Sequence, residues 1–418
     1  MSPKRRVVIT GIGALSAAGI GYEPLWQSAL AGRSRIRELT DFSSDGSPVK
    51  IGGEARDFKA EEFVQSRKSL KLMSRDIQLA VAASTLAIRD SAIRLEETDR
   101  TRAGITLAAG LINTELEELA LGIKKSFDSE GRFQMKRFGR DGIQALYPLW
   151  LLKYLPNMPA CHISILHGLK GPSNTLMTSS TGAIQAVGEA CHVIEREDAD
   201  WMLAGASDSK INAVGLSRLH LLGILSKKNH TPGKVYRPFD RARDGIVVGE
   251  GAAIFVLEER QHALKRGARI YGEVLGFSAK AHSEVESLRQ ALEESERAPK
   301  DIHFIHANGS GVPEEDIFEA ESFTRVFGSG IDQIPVTATK SVTGHLIDAS
   351  GAPELCLGLL ALQNGVLPPV VNLEEPDPRC PLRFVKGKAA AVEAHTFLLH
   401  TFGLGAESAA LVVGKNGN

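Results

Sequence analysis

Four short segments of the chain carry side chains that could support acyl chemistry. Ser180 lies in Thr-Ser-Ser-Thr-Gly-Ala, before a helical pattern, where the free backbone N–H groups of a helix start favour developing negative charge. The other three segments contribute Asn308 in His-Ala-Asn-Gly-Ser-Gly, Lys340 and His345 in Lys-Ser-Val-Thr-Gly-His, and Phe402 in Phe-Gly-Leu-Gly. A lysine and a histidine on one turn could polarise an acyl group. Ser180 also has an ordinary alternative as a helix cap.

Other motifs give weaker signals. Gly11-Ile12-Gly13 nearly matches a dinucleotide fingerprint, but the third glycine and the following acidic residue are missing, so a tight turn after a strand is the better interpretation. His303 and His306 lie three residues apart in a predicted strand and point to opposite faces. Without a P-loop lysine or zinc-ligand spacing in the sequence, we expect no metal and no bound nucleotide cofactor.

Composition narrows the class of protein. The 418 residues carry 49 basic and 50 acidic side chains, a balance that does not favour a nucleic-acid binder. No apolar run approaches the ~20 residues of a membrane helix, and the first run, 7–9, is too short for a signal-peptide core. Four cysteines without a Cys-x-x-Cys pair fit a reducing compartment. We therefore expect a cytoplasmic protein.

Apolar patterns predict the elements that must position the four segments. Strands are predicted at 6–13, 103–109, 201–205, 252–257, 270–277, 303–306 and 409–413, and helices at 75–90, 183–197, 258–266, 285–297 and 351–363. This alternation predicts an α/β fold with a mostly parallel sheet. Because the pattern restarts, we expect a duplicated fold with halves 1–257 and 258–418, and a loop-rich insertion or cap at 112–148. All four candidate segments lie at strand ends, where open α/β sheets place their sites.

Taken in order, these segments resemble the β-ketoacyl-acyl-carrier-protein synthases of the type I/II class. The resemblance covers essentially the whole chain and is carried by VVITGIGALSAAG, PNMPACHISILHGLKGPSNT, RPFDRARDGIVVGEGAAIFVLEE, TKSVTGHLIDASGAPE and FGLGAESAALVV. It implies a thiolase fold, a duplicated five-layer αβαβα architecture with mostly parallel mixed sheets. It also implies a dimer, a role in fatty acid or polyketide biosynthesis, and an acyl carrier protein as partner. Acyl groups would arrive on the phosphopantetheine arm of that partner, with no further cofactor.

The chain departs from the family pattern at the positions of the catalytic residues. The family uses a cysteine nucleophile and two histidines, and the resemblance places Ser180 at the cysteine and Asn308 at the first histidine, whereas Lys340 and His345 match the family. A serine hydroxyl is far less acidic than a thiol and needs a nearby base. Asn308 can donate a hydrogen bond but cannot exchange a proton, and losing a general acid or base costs ~10²–10⁴-fold. His306 lies two residues earlier, ~6.6 Å along a strand, and is a doubtful replacement.

The resemblance also assigns a gating segment. The family's Phe-Gly-Phe-Gly-Gly corresponds here to a stretch that begins with Phe402, Gly403 and Leu404. The backbone N–H groups of Ser180 and Leu404 would form the oxyanion hole of the site.

A basic surface is the expected docking site for the acidic carrier protein. Its residues fall on or just before the predicted helix 75–90, and they are Arg67, Lys68, Lys71 and Arg75. Lys71 and Arg75 are four residues apart, so we expect them on one helical face. A solvated basic face without a partner is the alternative.

Three functions fit these residues. The first is a non-condensing subunit resembling a chain length factor, paired in a heterodimer with a cysteine-containing ketosynthase. The second is a malonyl-carrier-protein decarboxylase that makes acetyl-carrier protein, because decarboxylation needs enolate stabilisation but no nucleophile. The third is an acyltransferase or condensing enzyme that uses Ser180. A carrier-binding or structural role without chemistry, and a homodimer, also remain open.

Overall fold

The computed structural model describes residues 5–40, 47–64, 66–112, 114–403 and 405–417. Its strands are β1 (Val7–Ser16), β2 (Gly19–Ile20), β3 (Arg37–Glu38), β4 (Ile51–Gly52), β5 (Ala103–Ala108), β6 (Ser173–Leu176), β7 (Trp201–Ser209), β8 (Glu250–Glu259), β9 (Gly272–Ala281), β10 (Phe304–His306), β11 (Pro335–Thr337), β12 (Val366–Leu367), β13 (Arg383–Phe384), β14 (Ala390–Ala391), β15 (Thr396–Phe402) and β16 (Glu407–Gly414). Its helices are α1 (Tyr22–Leu30), α2 (Arg67–Leu70), α3 (Arg75–Ser91), α4 (Leu116–Lys124), α5 (Met135–Arg137), α6 (Met158–His167), α7 (Gly182–Glu195), α8 (Ala213–Leu221), α9 (Pro232–Val235), α10 (Arg260–Lys265), α11 (Glu284–Glu294), α12 (Pro313–Phe327), α13 (Lys340–Thr343) and α14 (Ala352–Asn364). Within these ranges, every helix is too short or too polar to cross a bilayer.

Helix α3 shows how the sequence builds an outer layer of the fold. The predicted helix at 75–90 is confirmed, and its apolar face is buried against β1, β7 and β8. Side chains at Gly11 and Gly13 of β1 would overlap the backbone carbonyl groups of Ala87 and Ala83 in this helix. The two glycines therefore permit close approach of the helix to the sheet. The interpretation of a turn after residue 13 is wrong, because β1 continues to Ser16.

One mixed sheet runs through the described chain, and the same pairing pattern occurs in it twice. In one half β6, β5 and β7 are parallel neighbours, followed by antiparallel β8 and β1. In the other half β11, β10 and β15 are parallel neighbours, followed by antiparallel β16 and β9. Strands β1 and β9 pair and join the halves. The predicted boundary between residues 257 and 258 falls inside β8 and stays a prediction, and the stretch 112–148 holds α4, α5 and short turns.

Three hydrophobic clusters separate five layers of structure. One cluster lies between α3 and the strands of the first half, and another lies between α11, α12 and the strands of the second half. The largest cluster contains α7 and α14 together with strands from both halves. Helix α7 contacts β5 and β7 on one side and β9 and β16 on the other. Helices α7 and α14 thus form a central layer between the two halves of the sheet, in the order αβαβα.

Two predicted boundaries are wrong because polar residues are buried. The predicted strand at 201–205 is β7, which continues to Ser209, and Asp208 within it is fully buried. The helix predicted from residue 258 begins only at Arg260, because Glu258 is the buried penultimate residue of β8 and pairs with Arg266 at 2.7 Å. In both strands the buried carboxylate is paired with a basic side chain that follows it in the chain, Lys210 for Asp208 and Arg266 for Glu258.

Candidate functional site

Ser180 lies in a tight turn, Ser179–Thr181, between the edge strand β6 and helix α7. Ser179 has a φ of 50°, in the left-handed region that non-glycine residues rarely adopt. The N-cap position of α7 is Thr181, and Ser180 is 2% exposed. The alternative of a serine helix cap at Ser180 is therefore wrong. A strained turn at the start of the buried helix α7 therefore holds this residue.

Asn308 lies in a loop after β10 whose backbone is held from both sides. Its carbonyl oxygen accepts a hydrogen bond from Lys340 Nζ at 2.8 Å, and its N–H donates to Glu319 Oε1 at 2.7 Å. The N–H of Gly309 donates to the other oxygen of Glu319 at 2.9 Å, and His400 Nδ1 lies 2.6 Å from that carboxylate. The side-chain Oδ1 of Asn308 is buried, with no partner among the described residues. The loop is rigidly held while its amide remains available to a ligand.

His345 follows α13 and is oriented through one ring nitrogen. Its Nδ1 accepts a hydrogen bond from the N–H of Ile347 at 3.1 Å, so the neutral ring carries its proton on Nε2. Burial, and then the positive charge of Lys340, lower the pKa of His345 well below its ordinary value. The ring therefore stays neutral near pH 7 and presents Nε2–H as a hydrogen-bond donor.

The buried side chain of Lys340 contacts other groups of the protein. Its side chain is 1% exposed and lies between the Asn308 carbonyl and Glu354, whose Oε1 is 3.6 Å from Nζ. Glu354 also accepts a hydrogen bond from the N–H of Gly351 at 2.7 Å, at the start of α14. Lys340 thus connects the Asn308 loop to the segment that carries His345. Glu319 and Glu354 complete this arrangement and were not predicted to take part in it, although Glu354 is the last residue of TKSVTGHLIDASGAPE.

His306, the doubtful replacement for the first histidine of the family pattern, is engaged in the core. Its Nε2 is 2.9 Å from Thr339 Oγ1, and its Nδ1 is buried with no partner in the described part of the chain. Burial, and then Lys340, lower the pKa of His306 to about 3. This imidazole is a neutral core residue bound to Thr339.

The turn of Ser180 packs against a second turn, Ile347–Ala349, and against the ends of β15 and β16. A cavity of about 190 Å³ opens beside these turns and is bordered by Ser179 and Asp348. Lys210 lines the inner wall of this cavity, and Leu111 and Leu222 belong to its apolar side. The fold therefore brings the segments of Ser180 and His345 to the same place, as the sequence predicts.

A buried charge cluster beside this cavity was not predicted. Lys210 Nζ forms ion pairs with Asp208 and with Asp348, the latter at 2.9 Å. Burial raises the pKa of Asp208 well above its ordinary value, although Lys210 opposes the shift. For Lys210, burial alone would lower the pKa, but the nearby carboxylates outweigh it and raise the value.

The gating segment is only partly described. Phe402 ends β15, and its ring centroid is 6.1 Å from that of Phe318. Gly403 donates its N–H to the carbonyl oxygen of Glu407 at 2.8 Å, which closes a tight turn. Leu404, and with it the second N–H expected for the oxyanion hole, lies outside the described residues.

The basic surface divides into exposed and engaged residues. Arg67 and Lys68 lie on α2 and are exposed, as is Lys71 just after it. The expectation that Lys71 and Arg75 share a helical face is wrong, because α2 ends at Leu70 and α3 begins at Arg75, so the two residues are not on one helix. Arg75 is half-buried and bonded to Glu250 at 2.8 Å. Arg75 therefore has a structural role and does not belong to the exposed basic surface.

The protein-family model for the beta-ketoacyl synthase N-terminal domain matches residues 4–263, and the family model for the C-terminal domain matches residues 272–374. The chain belongs to the beta-ketoacyl synthase family. It is 32% identical to a 3-oxoacyl-[acyl-carrier-protein] synthase 2 of Coxiella burnetii, over 99% of each chain. Among solved structures, the ishigamide ketosynthase/chain length factor is similar, with a TM-score of 0.87 and 28% identity over 99% of this chain and 100% of that one. A beta-ketoacyl synthase from Burkholderia phymatum has a TM-score of 0.87 and 27% identity, over 98% and 99% of the two chains.

These similarities confirm the thiolase fold of the ketosynthases and the family's place in fatty acid and polyketide biosynthesis. The mixed α/β sheet and the central helix layer agree with that architecture. Within this family, Ser180 and Asn308 stand at positions where the resemblance expects a cysteine and a histidine.

Proposed function

We propose that this chain is a non-condensing subunit, resembling a chain length factor, that pairs with a cysteine-containing ketosynthase. The observation that carries the proposal is that, among the described residues of the site, neither His345, Asn308 nor His306 can act as a base toward Ser180. His345 Nδ1 is occupied by the N–H of Ile347, its Nε2 carries the proton, and Asn308 accepts no proton. His306 is bound to Thr339. A serine without a base is a poor nucleophile, so the acyl-enzyme needed for condensation does not form at a useful rate.

The sheet edge next to Ser180 supports pairing with another subunit. Strand β6 is the last strand at one end of the described sheet, and its unpaired N–H and C=O groups are a template for a strand of another chain. Exposed apolar side chains flank this edge, with Ile165 on α6 79% exposed and Met177 56% exposed. An apolar patch of this kind marks a protein interface. The turn of Ser180 begins three residues after β6, so a partner at this edge would lie close to the site.

Co-expression tests the pairing. The chain is produced with a cysteine-containing ketosynthase from the same source, and native mass spectrometry and a condensation assay are applied to the purified complex. We expect a heterodimer that condenses, and no condensation by this chain alone. Ile165→Glu and Met177→Glu should abolish the complex, whereas Leu264→Glu, at a residue 43% exposed on α10, should not. A stable homodimer indifferent to every such ketosynthase would contradict the proposal.

A second candidate function, decarboxylation of a malonyl-carrier protein, is favoured by the donors of the site. His345 Nε2–H is a neutral donor, and the Asn308 amide has no partner among the described residues on its buried oxygen. In this reaction the bond to the carboxylate carbon breaks, CO2 leaves, and the electron pair moves onto the thioester oxygen as an enolate. The α-carbon then takes a proton from water. Two donors that reach the thioester oxygen would stabilise the enolate without a nucleophile.

The carrier-protein partner is part of both proposals. Arg67, Lys68 and Lys71 form an exposed basic surface on and after α2, and an acidic carrier protein is complementary to it. Release of CO2 from malonyl-carrier protein by the isolated chain tests the second function. No release under these conditions would contradict it.

A further inference from the structure

We infer that Lys210, Asp208 and Asp348 are positioning residues that orient the ring of His345 through the backbone of Ile347. Three elements meet at this point: the end of β7, the turn Ile347–Ala349, and the segment after α13. Lys210 and Asp208 lie outside the segments that carry the family resemblance, whereas Asp348 lies within TKSVTGHLIDASGAPE, three residues after His345. Their contacts form one continuous path to the imidazole.

The path begins with the ion pairs of Lys210. Its ammonium bonds to Asp208 and lies 2.9 Å from Asp348 Oδ2. The other oxygen of Asp208 accepts the backbone N–H of Asp348 at 3.1 Å. Asp348 is therefore held at both its side chain and its backbone, by two residues of the neighbouring strand end.

The preceding peptide of this turn orients the histidine. The N–H of Ile347, one residue before Asp348, donates to Nδ1 of His345 at 3.1 Å. Ile347 has a φ of 34°, which is unfavourable for a β-branched residue and persists only where the surroundings impose it. The clamp on Asp348 provides such a constraint on its C-terminal side. Without it, the turn can relax and the N–H of Ile347 can leave the imidazole.

The fold makes room for this clamp. Gly110 lies where any side chain would overlap the carboxylate of Asp348. Lys210, Asp208 and Asp348 are all at most 9% exposed, and buried charges are costly unless they are paired. A structural role alone would be met by apolar residues of similar volume. The geometry points instead to the orientation of the adjacent ring as the use of this cluster.

The consequence for chemistry rests on the decarboxylase function proposed above, whereas the orientation of the ring does not. With Nδ1 occupied, the neutral ring donates from Nε2 alone. If the N–H of Ile347 is lost, both tautomers become accessible and Nε2 is an acceptor in part of the molecules. An enolate oxygen would then meet a lone pair instead of a proton.

The tautomer of His345 is the direct test. Full-length protein with 15N-labelled histidine rings is measured by magic-angle-spinning NMR, and His345→Gln identifies the signals of His345. In the wild type we expect an unprotonated Nδ1 and a protonated Nε2. Asp348→Ala should give signals of both tautomers. The separate variant Asp348→Asn, which keeps the side-chain volume and one acceptor oxygen, should retain most of the single-tautomer signal.

A second variant tests the inference independently of whether Asp348→Ala folds. Lys210→Met combined with Asp348→Asn removes both partners of one ion pair and should also give both tautomers. Glu258→Gln is the matched control, since it breaks the buried pair with Arg266 without contacting Ile347, and should leave the signals of His345 unchanged. A single unchanged tautomer in the folded variants overturns the inference.

Kinetics separate this inference from the proposed function. If the wild type releases CO2, Asp348→Ala should lower kcat by ~10-fold or more while KM for malonyl-carrier protein stays within about 2-fold. If the wild type releases none, the decarboxylase function fails and the NMR result still decides the positioning role.

Discussion

The buried ammonium of Lys340 donates a hydrogen bond to the backbone carbonyl oxygen of Asn308 at 2.8 Å. This contact joins the loop of Asn308 to the start of α13, 32 residues later in the chain, and the charge of Lys340 is balanced by Glu354 at 3.6 Å. The contact gives Lys340 a structural role that does not depend on the residue at position 180. Lys340 is needed to hold the loop of Asn308 whatever chemistry the site performs.

Removal of this lysine should destabilise the protein. Lys340→Met leaves Glu354 as a buried, unpaired charge, which typically costs ~3–5 kcal/mol. Urea unfolding monitored by circular dichroism measures the loss of free energy. The double variant Lys340→Met with Glu354→Gln removes the stranded charge and should recover part of it. Equal stability of wild type and Lys340→Met would show that the contact is unimportant.

Acid should weaken the fold through His306. Its pKa is about 3 in the folded chain and about 6.5 when unfolded, so the unfolded chain binds the proton first as the pH falls. The stability of the wild type should decrease below pH 6.5, with about 2 kcal/mol lost through this residue between pH 7 and pH 5. Urea unfolding at both pH values measures the change. His306→Gln should reduce that loss, whereas the exposed His230→Gln should leave it as in the wild type.

Ser180 should form no acyl-enzyme. Incubation with acyl-carrier protein should leave the intact mass of the chain unchanged, because no base takes the proton from its hydroxyl. Ser180→Cys should become acylated, since a thiol is partly ionised at neutral pH and the start of a helix favours the thiolate. Condensation by this variant should still be slow, as Asn308 cannot transfer a proton. An acyl adduct on the wild-type serine would support the third function instead.

If the chain decarboxylates malonyl-carrier protein, both donors of the site should contribute. Asn308→Ala and His345→Ala should each lower kcat by ~10²–10³-fold, the usual cost of losing one donor to a developing oxyanion. Ser180→Ala should have little effect, because no bond to the serine forms. Rates of CO2 release that are unchanged in the first two variants would exclude these residues from the reaction.

The exposed basic residues should contribute to carrier-protein binding in a salt-dependent manner. Lys68→Glu with Lys71→Glu should weaken binding and flatten its dependence on ionic strength. Surface plasmon resonance at two salt concentrations measures both effects, and Lys300→Glu, at another exposed position, is the control. Arg75→Glu should instead lower stability, because it places a second negative charge beside Glu250.

Much of this fold follows from local sequence patterns, and much of the site does not. Helices α3 and α7 are predicted because their apolar residues recur at helical spacing, and the four candidate segments are predicted because each lies at a strand end. The charge cluster was missed since Asp208 and Asp348 are 140 residues apart and only the folded chain brings them together. For the same reason Arg75 was expected on the surface. Its partner, Glu250, lies 175 residues away.

The central layer of α7 and α14 has a consequence for cooperativity. The largest hydrophobic cluster draws residues from both halves of the chain, so neither half encloses a complete core by itself. The two halves are similar in strand order, but unfolding of either half would expose the apolar surface of the helix that the other contributes. We therefore expect the two halves to unfold together, and the strained turns around Ser180 and Ile347 to be lost in the same transition.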